Sequence, residues 1–259
     1  MEEPHLLYEV QDAVATFTIN REDRRNALSA SALSLFLGHL DEAERDDAVR
    51  VVVVTAKGQK AFCSGADLGT GLGAGSSDGM SAFRDYAALL KRLAGFTKPT
   101  VARVNGSCVA GGTGIMLACD IVYAADSAKF GTPEVNVGLF PMMIGALIFR
   151  NAPRKKAMEM ILTGATITAS EALDMGMVTR LFTPGELDSA VNGLVEKLAQ
   201  KSPIGMRIGK TAFHQMADMP FGDAVSYLAE KLAEVASTKD AVEGITAFLE
   251  KRPPKFTGK

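Results

Sequence analysis

At 259 residues, with 47% hydrophobic and 22% charged side chains, the chain has the mix of an ordinary globular protein and can bury one substantial core. A formal net charge of −2 gives no chain-wide attraction to nucleic acid or anionic lipid, though a local basic patch can still hold a phosphate-bearing small molecule. Cys63, Cys108 and Cys119 are odd in number and stand in neither paired nor Cys/His spacing, so disulfides and zinc are not expected and a reduced, cytoplasmic setting is.

The opening "MEEPHLLYEVQD" lacks a basic n-region, and no apolar run reaches the roughly 18 residues a bilayer requires, so neither export nor membrane insertion is expected. From Leu6 to Asn20 the alternation in "LLYEVQDAVATFTIN" predicts a β-hairpin with one buried face, turning at Gln11–Asp12. "ALSASALSLFLGHLDEAERDD" spaces Leu33, Phe36, Leu37 and Leu40 for a helix with Ser29 as its N-cap. "VRVVVVTAKG" is the near-continuous β-branched run of a strand covered on both faces. Residues 69–79, "GTGLGAGSSDG", have no periodicity and read as a mobile loop ahead of a helix carrying Tyr86, Leu89, Leu90 and Leu93. Loops of this kind often cover sites.

"KPTVARVNGSCVAGG" predicts one short strand ending in glycines, "TGIMLACD" a helix and "IVYAA" a further strand, the order of an α/β fold. In "TASEALDMGMVTRLF", Thr168 and Glu171 have capping-box spacing, with the helix ending near Gly176. Beyond about Lys201 only amphipathic helical patterns remain, so residues 1–200 are expected to form the core and 201–259 a helical region suited to packing or self-association.

Four segments, "AFCSGADL", "VNGSCVAGGTGIMLACDIVYAA", "AKFGTPEVNVGLFP" and "EGITAFLEKR", together resemble the crotonase superfamily, the enoyl-CoA hydratase/isomerase family, in order and spacing across nearly the whole chain. That resemblance implies a core of repeated ββα units followed by C-terminal helices that build homotrimers, often paired into hexamers. It also implies an acyl-CoA thioester as substrate, with coenzyme A as part of that substrate and no separate cofactor or metal.

The chemistry has a physical logic of its own. Removing a proton beside a thioester puts negative charge on the carbonyl oxygen, and rigid N–H donors aimed there stabilise it. Glycines let a substrate approach the main chain, and a helix N-terminus adds unsatisfied amides and the positive end of its dipole. By resemblance the two donors are the amides of Ala66 in "SGAD" and Gly111 in "AGGTG", with Gly112 beside them. Glu134, in "FGTPEVNVG", matches one of the family's two catalytic glutamates, and its neighbours Phe130, Val135, Val137 and Leu139 are apolar enough to raise its pKa.

The second family glutamate falls on Gly114, so that carboxylate is missing. One glutamate suffices to move a double bond, taking a proton from C2 and returning it at C4, whereas hydration with one would need Glu134 and a water network. Thr113, Asn136 and Asp78 are all available as a second polar group, and spacing selects none of them. Gly114 itself suits either a bulkier acyl group or close helix packing. "MMIGALIFR" replaces a more polar family stretch and offers Met142, Met143 and Ile144 either to an acyl pocket or to helix core.

For the coenzyme A moiety the candidates are Arg25, Ala27, Lys57 and Asp67, with the main chain of Ala27 and of Ala66 to Leu68 favoured over a specific ion pair. Arg21, Arg24, Lys251, Arg252 and Lys255 read as solvated surface charges. His5, His39 and His214 have no nucleophile or metal-ligand spacing. A rival of another class is a non-catalytic acyl-CoA- or RNA-binding homologue, against which a retained Glu134 and the acidic balance both argue.

Overall fold

The computed structural model of the chain describes residues 3–67 and 77–259, with residues 77–79 described by their backbone alone. Strands β1 (Leu6–Gln11) and β2 (Val14–Ile19) form the expected antiparallel hairpin, but it turns one residue later, at Asp12 and Ala13. Both take positive φ, 49° and 66°, the conformation that matches the twist of a two-residue hairpin loop. Helix α1 (Ala30–Arg45) follows, and the Ser29 side chain accepts a hydrogen bond from Ala32 N at 3.1 Å, satisfying one orphan donor of the first turn.

From here the chain alternates between two sheets. Strands β3 (Val51–Ala56) and β4 (Ala61–Cys63) precede helix α2 (Ser77–Ala94); β5 (Thr100–Val104) and β6 (Ser107–Val109) precede helix α3 (Gly111–Ala118); β7 (Ile121–Ala125) and β8 (Lys129–Gly131) precede a 3₁₀ turn, Pro133–Val137, and helix α4 (Met142–Asn151). The first strand of each pair joins a six-stranded sheet in the order β1-β2-β3-β5-β7-β10, where β10 is Arg180–Phe182. The second strands join a four-stranded sheet, β4-β6-β8-β9, closed by the antiparallel β9 (Thr166–Thr168).

The single strand expected in "KPTVARVNGSCVAGG" is therefore two strands in different sheets, broken at Asn105–Gly106, where Asn105 Nδ2 donates to Gly58 O at 2.6 Å. Residues 77–79 of the expected loop are already helical, and 69–76 lie outside the described residues. The capping box of Thr168 and Glu171 forms as expected ahead of helix α6 (Ala169–Asp174), which comes after α5 (Arg154–Thr163).

The valines of β3 explain the layers. Val52 and Val54 face a core shared with Phe17, Ile19, Leu33, Phe36 and Leu40, whereas Val51 and Val53 face Leu187, Val191 and Val195 of α7 (Leu187–Ala199). A strand buried on both faces has no polar side to present, hence the uninterrupted apolar run. Beyond 201 come helices α8 (Pro203–Met216), α9 (Phe221–Ala236) and α10 (Lys239–Leu249), of which Ala212, Ala224, Asp240 and Ala247 alone are fully buried. Phe213, Phe221, Leu232, Ile245 and Phe248 remain exposed. No helix among the described residues is long and apolar enough to cross a membrane.

Candidate active site

The first amide segment leaves β4 at Cys63. Leu28 N donates to Gly65 O at 2.8 Å and Asp67 N donates to Leu28 O at 2.9 Å, an isolated parallel bridge between Leu28 and Ala66. Because successive amides of an extended chain point to opposite sides, this bridge turns the Ala66 N–H away from Leu28. Gly65 has φ +92°, and a Cβ on it would lie 2.7 Å from Ala110 Cβ and 3.1 Å from Gly111 N. Only glycine meets both demands, and meeting them brings residue 65 against the start of α3. Cys63 Sγ accepts from Gly65 N at 3.4 Å, and burial pushes that thiol up to about 12, so it stays a neutral acceptor.

The second amide is the first of α3. Ala110 stands before it at φ 51°, an unusual conformation for alanine, with its own N–H bonded to Gly131 O at 2.9 Å. Gly111 N–H, as the opening amide of a helix, has no partner within that helix. Among the described residues neither Ala66 N nor Gly111 N donates a hydrogen bond. The helix brings Thr113 inward, where its hydroxyl reaches Cys108 O at 3.2 Å and Gly131 O at 3.1 Å, so that hydroxyl is engaged in the fold.

Gly131 also leads to the carboxylate. Three residues on, in the Pro133–Val137 turn that Gly138 closes at φ 76°, Glu134 is half-buried. Its Oε2 is shut from solvent and has no hydrogen-bond partner among the described residues. Burial pushes the Glu134 carboxyl above the ordinary range, only partly offset by a hydrogen bond from its own amide. The exposed apolar side chains Val137, Leu139, Phe140 and Met142 follow it.

Several expected contacts are rearranged. Gly112 is buried, and a Cβ there would lie 2.5 Å from Cys63 O, so its lack of a side chain lets α3 pack closely on β4. Gly114 does not open space for an acyl group: its position is enclosed by Tyr86 Oη, Ile144 Cγ2 and Leu90 Cδ2. Met142 is 74% exposed and Met143 packs beside the core, so of that trio Ile144 is the core residue. Asn136 Nδ2 turns to Gly164 O at 3.3 Å. Leu68 and the side chain of Asp78 lie outside the described residues.

Around the first amide, Arg21 is no surface charge. Its guanidinium donates to Ala27 O at 2.7 Å and to Asp67 Oδ2 at 2.8 Å, with the Arg21 and Asp67 side chains 11% and 13% exposed. Ala27 N donates to Arg24 O at 3.1 Å, so both main-chain groups of Ala27 already have partners inside the fold. Asn26, fully buried at φ 55°, donates to Lys57 O at 3.0 Å and Ala61 O at 2.7 Å and accepts from Arg21 N at 3.0 Å. It ties the 21–28 turn to the β3–β4 connection, a role no spacing announces. Arg25 and Lys57 flank this joint and are exposed, Lys57 approaching Glu3 at 3.4 Å. Among the described residues no group of three or more His, Cys, Asp or Glu is placed to hold a metal ion.

The chain has known relatives. A sequence model of the family described as enoyl-CoA hydratase/isomerase matches residues 9–259. The rat protein named enoyl-CoA hydratase domain-containing protein 3, mitochondrial, is 34% identical over 249 residues, spanning 95% of this chain and 82% of that one. The short-chain-enoyl-CoA hydratase of Clostridium acetobutylicum is 32% identical over 253 residues, 97% of each chain. The crystal structure of an enoyl-CoA hydratase from Bacillus anthracis superposes with a TM-score of 0.94 at 30% identity, covering 98% of this chain and 100% of that one.

Proposed function

Because the chain belongs to the enoyl-CoA hydratase/isomerase family, we propose that it moves the double bond of an enoyl-CoA thioester, with Glu134 as the proton carrier and the Ala66 and Gly111 amides as oxyanion donors. The observation that carries this reading is the half-buried Glu134, whose Oε2 has no partner among the described residues, three residues beyond the Gly131 carbonyl that holds Ala110 in place. Burial favours the neutral acid, so the ionised carboxylate is a stronger base than an exposed glutamate.

In the step proposed, the carboxylate takes a proton from C2 of a 3-enoyl thioester. The C–H electron pair becomes a C1–C2 π bond and the carbonyl π pair moves onto its oxygen, giving a dienolate whose charge two main-chain N–H groups meet. The same proton returns at C4, leaving the double bond between C2 and C3. No water is consumed, which suits a site whose other family carboxylate is glycine, Gly114. Hydration of a 2-enoyl thioester by Glu134 and a water network is the second reading, supported by the hydratase names of relatives.

Arg25 and Lys57, exposed beside the first amide segment, are suited to phosphates of coenzyme A. The exposed apolar faces of α8 to α10 are suited to burial in a homotrimer or hexamer. Buried free thiols accord with a reduced, cytoplasmic setting.

The test is solvent-deuterium labelling followed by NMR of the product. Isomerisation gives a 2-enoyl product that carries label at C4 only as far as Glu134 exchanges its proton before returning it, whereas hydration gives a 3-hydroxyacyl product labelled at C2. Thioester binding with neither product would overturn the enzymatic reading in favour of a binding protein.

A further inference from the structure

Tyr86, on α2, is 9% exposed, and its hydroxyl donates to Gly111 O at 2.5 Å. The same oxygen fills the space where a side chain at residue 114 would begin, with Ile144 Cγ2 on the other side. The ring also rests against Gly111, where a Cβ would sit 3.4 Å from both Cζ and Oη. A phenol has one proton to donate, and here it goes to a carbonyl of the main chain. Tyr86 is therefore not a second acid. What it holds is the peptide that follows an amide of the site.

Ala110 and Gly111 are consequently restrained at both ends, Ala110 N by Gly131 O and Gly111 O by Tyr86. The positive φ of Ala110 is a conformation that persists only where its surroundings over-determine it. Resting on the reading of the site given above, we propose that Tyr86 is a positioning residue with two effects. Its hydrogen bond keeps the Gly111 amide aimed at the thioester oxygen, and with Ile144 it closes the volume in which a second acid group would hold a water. Tyr86 and Gly114 act as a pair, the tyrosine oxygen standing where the glycine has no side chain, and the pair steers the site toward proton relocation over water addition.

The test compares Tyr86→Phe, Gly114→Ala and the double variant with the unmodified chain, measuring kcat and KM for 3-enoyl-CoA isomerisation and 2-enoyl-CoA hydration. Removing an oxyanion donor outright costs about 10² to 10³ in rate, so loosening one is expected to lower isomerisation kcat about tenfold. KM is expected to stay within about twofold, because the donor meets charge that develops mainly in the transition state. The isomerisation-to-hydration ratio is expected to fall in Tyr86→Phe, since the deleted oxygen leaves room for a water. A general loss of folded protein lowers both rates together and leaves that ratio alone.

Gly114→Ala keeps the tyrosine but pushes its oxygen off Gly111 O, so its loss and that of Tyr86→Phe are expected to overlap in the double variant. Full kcat with an unchanged ratio in Tyr86→Phe, or losses that multiply in the double variant, would overturn the inference. Glu134→Gln, run alongside, separates the two levels. If it retains turnover, the reading of the site fails; if it is inactive while Tyr86→Phe is unaffected, the role of Tyr86 alone fails.

Discussion

The guanidinium of Arg21 lies 2.8 Å from the carboxylate of Asp67, and the same guanidinium holds Ala27 O at 2.7 Å. The pair joins the turn before α1 to the segment that carries Ala66, so the placement of an amide proposed as an oxyanion donor rests on a contact between residues 46 apart in sequence. Removing one member of a largely buried ion pair costs up to about 3 kcal/mol, because little water reaches the charge that remains. Arg21→Ala is expected to lose up to that much stability by urea denaturation and to lower kcat more than it raises KM. Arg21→Lys recovers little, since an ammonium cannot make the forked contact.

Glu134→Gln is expected to lower turnover about 10² to 10⁴-fold, the range for loss of a general acid/base. Its stability should move the other way. A carboxyl whose folded pKa is raised contributes its stabilising share below the unfolded pKa and loses it as pH rises through the folded value. The glutamine variant should therefore melt higher than the unmodified chain at neutral pH and lose that advantage in acid. Catalytic rate in the unmodified chain should fall as pH drops through a value above the ordinary carboxylate range. A Glu134→Gln enzyme with unchanged kcat would remove the proton-carrier role.

Asp240 ties down the C-terminal residues. Its Oδ1 accepts from Thr257 N at 2.7 Å, and its Oδ2 accepts from Ser202 Oγ at 2.8 Å and Gly258 N at 3.0 Å. Burial pushes this carboxyl up, but the hydrogen bonds from Thr257, Ser202 and Gly258 outweigh it and hold it below the usual range. A depressed folded pKa means stability present above the unfolded value and lost as pH falls through the folded one. Asp240→Ala is expected to speed hydrogen exchange at Thr257 and Gly258 about a hundredfold at neutral pH, the scale of losing charged hydrogen bonds. The difference from the unmodified chain should shrink in strong acid.

Phe221 and Phe248 are 86% and 81% exposed, among the largest apolar side chains left uncovered on α9 and α10. Phe248→Asp is expected to shift the mass measured by light scattering from that of a trimer or hexamer to a monomer while leaving the far-ultraviolet dichroism intact. A monomeric mass for the unmodified chain would refute the proposed assembly.

Local signals were legible where the physics is local. Ser29 and Thr168 cap their helices because an N-cap needs only a side-chain oxygen within three residues of an orphan amide. The hairpin appeared in its alternation, but its turn shifted to Asp12–Ala13, since moving the turn by one residue shifts the cross-strand pairing by two and keeps the same side chains on each face. The break between β5 and β6 was invisible for a related reason: two short strands of like composition read as one until a second sheet claims the latter. Arg21 read as a surface charge because most arginines are, and Tyr86 read as one more position on an apolar helix face.

By itself, the sequence determined the alternation of strands and helices, the small residues at 65 and 110–112, the single glutamate at 134 and the glycine at 114. These follow from residue chemistry and from spacing along the chain. Tertiary structure alone decided that Tyr86 fills the place beside Gly114, that Arg21 reaches Asp67, and that Gly131 holds both Ala110 and Thr113. Hydrogen bonds and close contacts between residues far apart in the chain have no period to betray them. They exist once burial has excluded water and left each donor only protein acceptors within reach.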